Sequence, residues 1–271
     1  MKKEKFVLVT GAYGGMGRAA TKALRERGYL VFALDKRVDA PEDGVFPIAA
    51  DITAECGVKE ALDAVMARTD SLFAILHFAG VYMLDSLVEI TEERFRAILD
   101  ANLLGAYLVN KAFFPLLARG SRILITTSEL APLDPLPFTG LYAVTKAALD
   151  KYAYALRMEL QLREISVSVL RAGAVQTGML GVSTAALDRF CENTALYPCN
   201  AERFKAIVER VEARSITPEK LARKTLKIIE KSKPKFAYSI NRNPLLLLLN
   251  ALPKRLQLFA IRCVLREGKK E

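Results

Sequence analysis

Short apolar runs alternate with amphipathic stretches along almost the whole chain. Residues 6–9, 29–34, 45–50, 72–76, 122–127, 166–170 and 236–240 are rich in β-branched and aliphatic side chains, and each reads as a strand. Between them, apolar positions recur at helical spacing over 17–28, 58–68, 91–117, 140–163, 181–214 (with a break near Pro198) and 218–231. Thr91-Glu92-Glu93 supplies a cap and an acidic first turn for the third of these. Strands that alternate with helices predict an α/β fold, a Rossmann-like doubly wound parallel sheet of about seven strands with helices on both faces. No linker or repeat divides the chain. Residues 1–240 are expected to form one catalytic domain, with a substrate loop at about 179–215, and 241–271 a basic, leucine-rich extension.

The first strand ends abruptly in Thr10-Gly11-Ala12-Tyr13-Gly14-Gly15-Met16-Gly17. A glycine turn between a strand and a helix exposes unpaired N–H groups and the positive end of the helix dipole, which suits a diphosphate. A Cβ there would block close approach of the phosphates. Thr10, Gly11, Tyr13, Gly15, Met16 and Gly17 are therefore candidate cofactor contacts. Asp35 closes the second strand, 24 positions after Gly11, where a carboxylate can take both hydroxyls of an adenosine ribose and repel a 2′-phosphate. Lys36 and Arg37 follow it and could attract that phosphate instead, yet the charges together favour NAD over NADP. Other polar or small residues sit at strand ends: Asp51-Ile52, Ala79-Gly80, Ser128 and Thr177. In open parallel sheets that edge is where ligands bind.

Composition changes the picture little. The four cysteines lack C-x-x-C spacing and His77 is the single histidine, so no metal site is expected, and the thiols read as reduced in a cytoplasmic chain. MKKEKFVLV imitates a signal peptide, but its apolar run is too short and leads into the glycine turn, so it reads as a first strand. Residues 231–271 carry ten Lys or Arg against two Glu and account for most of the net charge of +10. With no aromatic-interleaved basic motif, nucleic acid is not an expected partner. The tail, with Leu245 to Leu249, Lys254, Arg255, Arg262, Arg266, Lys269 and Lys270, could lie on an anionic membrane surface, or pack as a helix pair over the substrate mouth or against another subunit.

Thr10-Gly11-x-x-x-Gly15-x-Gly17, Asp51, Ala79-Gly80, Asn102, Ser128, Tyr142-x-x-x-Lys146 and 173–177 follow one another in an order that resembles the short-chain dehydrogenase/reductase family over residues 5–240. Tyr107 and Lys111 repeat the Y-x-x-x-K spacing on what reads as a helix surface. The resemblance implies NAD(P)-linked interconversion of a secondary alcohol and a ketone. Tyr142 would be the acid/base, Lys146 its cationic neighbour and a ribose ligand, Ser128 the carbonyl ligand, and Asn102 would help hold a water between Lys146 and solvent. An ammonium beside a phenol is expected to lower the phenol's pKa. Gly173, Val175 and Thr177 join the cofactor contacts by the same resemblance, as does a homodimer or homotetramer formed through the long helices.

Three departures stand out. The family's usual Asn-Asn-Ala-Gly is His77-Phe78-Ala79-Gly80, its Pro-Gly is Ala172-Gly173, and the distance from Ser128 to Tyr142 is long. His77 is expected to serve packing or hydrogen bonding rather than chemistry. Apolar residues at Leu130, Pro132, Leu133, Leu136, Phe138 and across 179–197 point to a hydrophobic, lipid- or steroid-like substrate. Two rivals remain open: an NADPH-dependent carbonyl reductase, and a non-catalytic dinucleotide sensor or scaffold.

Overall fold

The computed structural model describes residues 4–212 and 214–266, without the side chains of 178–184 and 211–212. Lys269, Lys270 and the Met179 side chain lie outside the described residues. Seven strands form one sheet: β1 (Phe6–Thr10), β2 (Leu30–Asp35), β3 (Val45–Ala49), β4 (Leu72–His77), β5 (Leu117–Ser128), β6 (Ser166–Ala172) and β7 (Ala237–Ile240). Their spatial order is β3-β2-β1-β4-β5-β6-β7, with every neighbouring pair parallel. Pro47, which cannot donate to a ladder, lies in the edge strand β3.

Side-chain alternation in β1 divides the core. Leu8 faces a cluster with Phe32, Ile75, Ile123, Val109 and Leu149, whereas Val7 and Val9 face one with Leu24, Val31, Leu76 and Ile228. The first face is covered by α2 (Glu55–Met66), α4 (Gly105–Phe113) and α5 (Gly140–Leu160), the second by α1 (Gly15–Glu26) and α8 (Pro218–Ile229). Chain order reverses between β1 and β4, which opens a crevice at their carboxyl ends.

The stretch 91–117, expected as one helix, is broken. Thr91 Oγ1 caps α3 (Glu92–Leu99) by accepting the Arg94 N–H at 3.4 Å, a π turn follows at Asp100–Leu104, and then α4. Pro115 lies in the 3-10 turn Phe114–Leu116, and the chain enters β5 at Leu117, five residues earlier than the apolar pattern suggests. Leu117 pairs with Leu72 before the register shifts, and Gly120 there adopts φ +86°, a backbone angle suited to glycine.

Beyond β6 come α6 (Gly178–Asn193) and α7 (Pro198–Glu212), separated at Pro198 as the sequence predicts. After β7, α9 (Pro244–Ala251) and α10 (Lys254–Leu265) fold back over the substrate side. Asp134 fastens them there: its N–H donates to Asn250 Oδ1 at 2.8 Å, and its carboxylate pairs with Lys254 and accepts from Gln257. Leu265 joins Leu84, Leu187 and Phe204 in a small apolar cluster. No helix among the described residues is long and apolar enough to cross a membrane.

Candidate active site

The glycine turn is built for close approach. Gly11 has φ +66°, and a Cβ on it would stand 2.5 Å from the Ala79 N. A Cβ on Gly15 would stand 2.5 Å from Thr177 Cβ, and one on Gly17 would collide with the Gly11 carbonyl. Gly14 precedes α1 with extended backbone, and the helix has neither a side-chain cap nor an acidic residue in its first turn. Its leading N–H groups thus face a cavity of about 870 Å³ lined by Gly11, Tyr13, Gly15, Asp35, Ile52 and Gly80 among others. Met16, Gly17, Ala79 and Thr177 also border it.

Thr10, Asp51, Gly173 and Val175, four of the expected contacts, do not line this cavity. Thr10 is fully buried behind the cradle, where its Oγ1 accepts the Ala79 N–H at 3.4 Å, so it shapes the turn. Asp51 turns away to cap Thr53, whose N–H and Oγ1 both donate to it, and to pair with Lys36 at 2.8 Å. Desolvation, the largest single effect, raises its carboxyl pKa, but the bonds to Lys36 and Thr53 together outweigh it and hold the carboxyl below the usual range. Gly173 and Val175 border the neighbouring cavity on the substrate side. Gly173 must be glycine because the Asn241 carbonyl occupies the place of a Cβ. Asp35 itself accepts the Tyr13 N–H at 3.0 Å and the Lys36 N–H at 2.8 Å, which ties the second strand end to the glycine turn.

The second cavity, of about 210 Å³, shares Met16, Tyr82 and Thr177 with the first. Ser128, the last residue of β5, and Tyr142, in the first turn of α5, meet in it, close enough for the Ser128 hydroxyl to act on the phenol. The long interval between them is taken up by a loop whose Phe138 adopts φ +65° and packs among Phe190, Tyr197 and Phe204. Tyr82 stands edge-on to Tyr142, ring centroids 4.7 Å apart.

Lys146 lies one helical turn beyond Tyr142 and is buried, its Nζ 5.7 Å from the Tyr142 ring centroid. From sequence, its ammonium is expected to lower the phenol's pKa. In the structure burial dominates both groups: it pushes Tyr142 up to about 12, against the lowering effect of the nearby Ser128 hydroxyl, and Lys146 down to about 8. Asn102 sits in the π turn with its side chain fully engaged. Oδ1 accepts the Val81 N–H at 2.8 Å, and Nδ2 donates to the Val81 carbonyl and to Thr145 Oγ1, both at 3.0 Å. Thr145 in turn donates to the Tyr142 carbonyl at 2.8 Å. Asn102 thereby fastens the Gly80 loop to the helix that carries Tyr142 and Lys146. A Cβ on Gly80 would be 3.0 Å from Asn102 Oδ1 and 3.2 Å from Lys146 Nζ, so any side chain there would press on both groups.

The second Y-x-x-x-K pair, Tyr107 and Lys111, lies on α4 away from both cavities, with Tyr107 exposed. Two further residues of the substrate cavity are not signalled by any motif. Glu129, directly after Ser128, is 9% exposed, and Leu246 comes from α9 in the tail.

Residues 5–188 match the family model for short chain dehydrogenases. The chain belongs to the short-chain dehydrogenase family. It is similar to a 3-ketodihydrosphingosine reductase of Bacteroides thetaiotaomicron, 24% identical over 95% of this chain and 97% of that one. An NADPH-dependent 1-acyldihydroxyacetone phosphate reductase of Schizosaccharomyces pombe is 31% identical over 73% of this chain and 70% of its own. Mouse estradiol 17-beta-dehydrogenase 2 is 32% identical over 66% of this chain and 50% of its own. Among solved structures, a short-chain dehydrogenase from Streptomyces avermitilis superposes with a TM-score of 0.75 over 97% of this chain and 95% of that one, at 19% identity, a likeness of fold. As a family member, the chain is an oxidoreductase that binds NAD or NADP and acts on a small molecule.

Proposed function

We propose that the protein interconverts a secondary alcohol and a ketone on a hydrophobic, lipid- or steroid-like substrate, using NAD(H). The observation that carries this reading is the meeting of Ser128 and Tyr142 in a mostly apolar cavity that adjoins the glycine cradle, with Lys146 buried one helical turn behind Tyr142. The uncapped start of α1 and the places a Cβ would fill suit a dinucleotide's diphosphate, and Asp35 suits its adenosine ribose. When bound, the cofactor supplies a hydride to the carbonyl carbon. Ser128 Oγ donates a hydrogen bond to the carbonyl oxygen and fixes its position. The Tyr142 hydroxyl gives its proton to that oxygen as charge develops, so that the ketone gains a hydride and a proton and leaves as the alcohol. Lys146, while charged, stabilises the phenolate that remains until solvent returns the proton. Asn102 acts on the site by fixing the Gly80 loop against α5.

Cofactor choice rests on Asp35 and on the ion pair of Lys36 with Asp51, which partly neutralises a cation that a 2′-phosphate would need. Titration of the protein with NADH and NADPH in parallel tests it. Tighter NADH is expected, and Asp35→Ala should narrow the difference; tighter NADPH would assign Lys36 and Arg37 to the phosphate instead.

The tail supports a second part of the reading, a chain that works in the cytoplasm and touches membranes peripherally. Leu245, Leu248, Leu256, Leu258, Phe259 and Val264 are exposed, beside Lys254, Arg255 and Arg262, on two helices of which α9 reaches the substrate cavity through Leu246. Apolar and cationic groups on one short segment suit an anionic lipid surface. Leu104, Tyr107, Val144, Tyr154 and Met158, exposed on or beside α4 and α5, favour self-association into a dimer or tetramer.

A further inference from the structure

Glu129 is the one charged side chain among the described residues that line the substrate cavity. Its neighbours there are aliphatic, aromatic or hydroxylic, and it is 9% exposed. A carboxylate in such surroundings is unfavourable by several kcal/mol unless its oxygens find donors. Among the described residues only half of that requirement is met: Oε2 accepts the Asn243 N–H at 2.6 Å, just before α9, whereas no hydrogen bond from a described residue reaches Oε1. Oε1 lies against Gly173, 2.9 Å from where a Cβ would stand.

Arg242 acts on the carboxyl through space without forming an ion pair, and burial still holds Glu129 above the ordinary carboxylate range. A helix-anchoring role accounts for Oε2 alone, and a glutamine would fill it equally well. The backbone explains why Glu129 can share a cavity with Ser128. Strand alternation would send consecutive side chains to opposite faces, but the chain turns at once, the Ala131 N–H donating to the Ser128 carbonyl at 3.0 Å.

We propose that Glu129 determines substrate specificity, its Oε1 receiving a protonated amine that an otherwise apolar ketone or alcohol carries close to its reacting carbon. An ammonium supplies both the hydrogen bond and the positive charge that the buried carboxylate lacks, whereas a neutral hydroxyl supplies only the first. The inference rests on the oxidoreductase reading of the same cavity and names its substrate class.

Calorimetric titration of the full chain with decylamine and with 1-decanol, at pH 7, tests it without turnover. The wild type is expected to bind the amine at least about tenfold more tightly, and Glu129→Gln, which can still accept from Asn243, should bring the ratio close to one. Equal affinities in the wild type would overturn the proposal whether or not the variant folds. A preference that survives Glu129→Gln, or both affinities falling in proportion, would also overturn it and leave Glu129 as an anchor for α9. Failure of wild-type protein to reduce any ketone with either cofactor would count against the oxidoreductase reading, while the binding ratio would still decide the role of Glu129.

Discussion

Lys146 and His77 are both bases held out of water, and burial lowers the pKa of each for the same reason: the charged form loses its hydration. At Lys146, brought to about 8, the consequence is catalytic. The ammonium is present below that pH and lost above it, whereas Tyr142, near 12, stays protonated throughout. The kcat/KM for ketone reduction should therefore be level below pH 7 and fall as pH rises through about 8. A plateau reaching to pH 10 in the pH–rate profile would contradict this assignment.

At His77 the consequence is stability. Asn110 Nδ2 donates to the Tyr152 hydroxyl, so its Oδ1 faces His77, whose Nε2–H must donate across 2.9 Å, leaving Nδ1 without a partner. The neutral ring fits this chain and the charged ring does not, and its pKa falls to about 4. The unfolded chain takes up that proton near pH 6.5, so stability is lost as pH falls from about 6.5 to about 4, by roughly 3 kcal/mol from this residue. His77→Asn should flatten the pH dependence of the denaturation midpoint over that interval. An unchanged slope would show that His77 is not the source. Its expected role in hydrogen bonding could be read in the sequence from its place at a strand end; its partner Asn110, 33 positions away, could not.

Among the elements, the strands and the glycine turn were legible because their signals are local: alternation, apolar runs and residues that permit unusual backbone angles. The helix that carries Tyr142 and Lys146 was legible too, since helical spacing alone puts them on one face. The stretch 91–117 was not, because a π turn keeps helical periodicity nearly intact while shifting the face presented by everything after it. Glu129 escaped notice for a different reason: its hydrogen bond to the start of α9 depends on that helix returning across the molecule, a tertiary event with no local pattern, whereas Leu246 lies in the leucine run for which packing over the substrate mouth was one expectation.

α10 makes its own prediction. Leu258 and Phe259, each 66% exposed, stand outside the cluster that holds Leu265, so they can change without opening the core. The double substitution Leu258→Ser and Phe259→Ser should weaken binding to anionic phosphatidylserine vesicles by about tenfold or more, since each apolar side chain contributes roughly 1.5–3 kcal/mol when buried. Equal sedimentation of the variant and the wild type with such vesicles would remove this face from the account.

For the whole molecule, the two cavities define a division of labour across the carboxyl edge of one sheet. The crevice where strand order reverses holds the glycine cradle, and the loops beyond β5 and β6, closed over by α9, hold the apolar space. Ser128 and Tyr142 stand where the two adjoin. Most of the net charge of +10 comes from residues 231–271, of which Lys254, Arg255 and Arg262 lie on α10. The parallel, doubly wound sheet and the cradle follow from sequence because both recur in a family; the form of the substrate space does not, because the tail builds part of it.

The central claim is that Tyr142 delivers the proton while a dinucleotide occupies the neighbouring cavity. Its most direct test compares wild type and Tyr142→Phe for two quantities, the dissociation constant for NADH and kcat for a hydrophobic ketone. The account predicts an NADH affinity within about twofold and a kcat lower by 10²- to 10⁴-fold. Turnover that survives the loss of the hydroxyl, with NADH still bound, would contradict it.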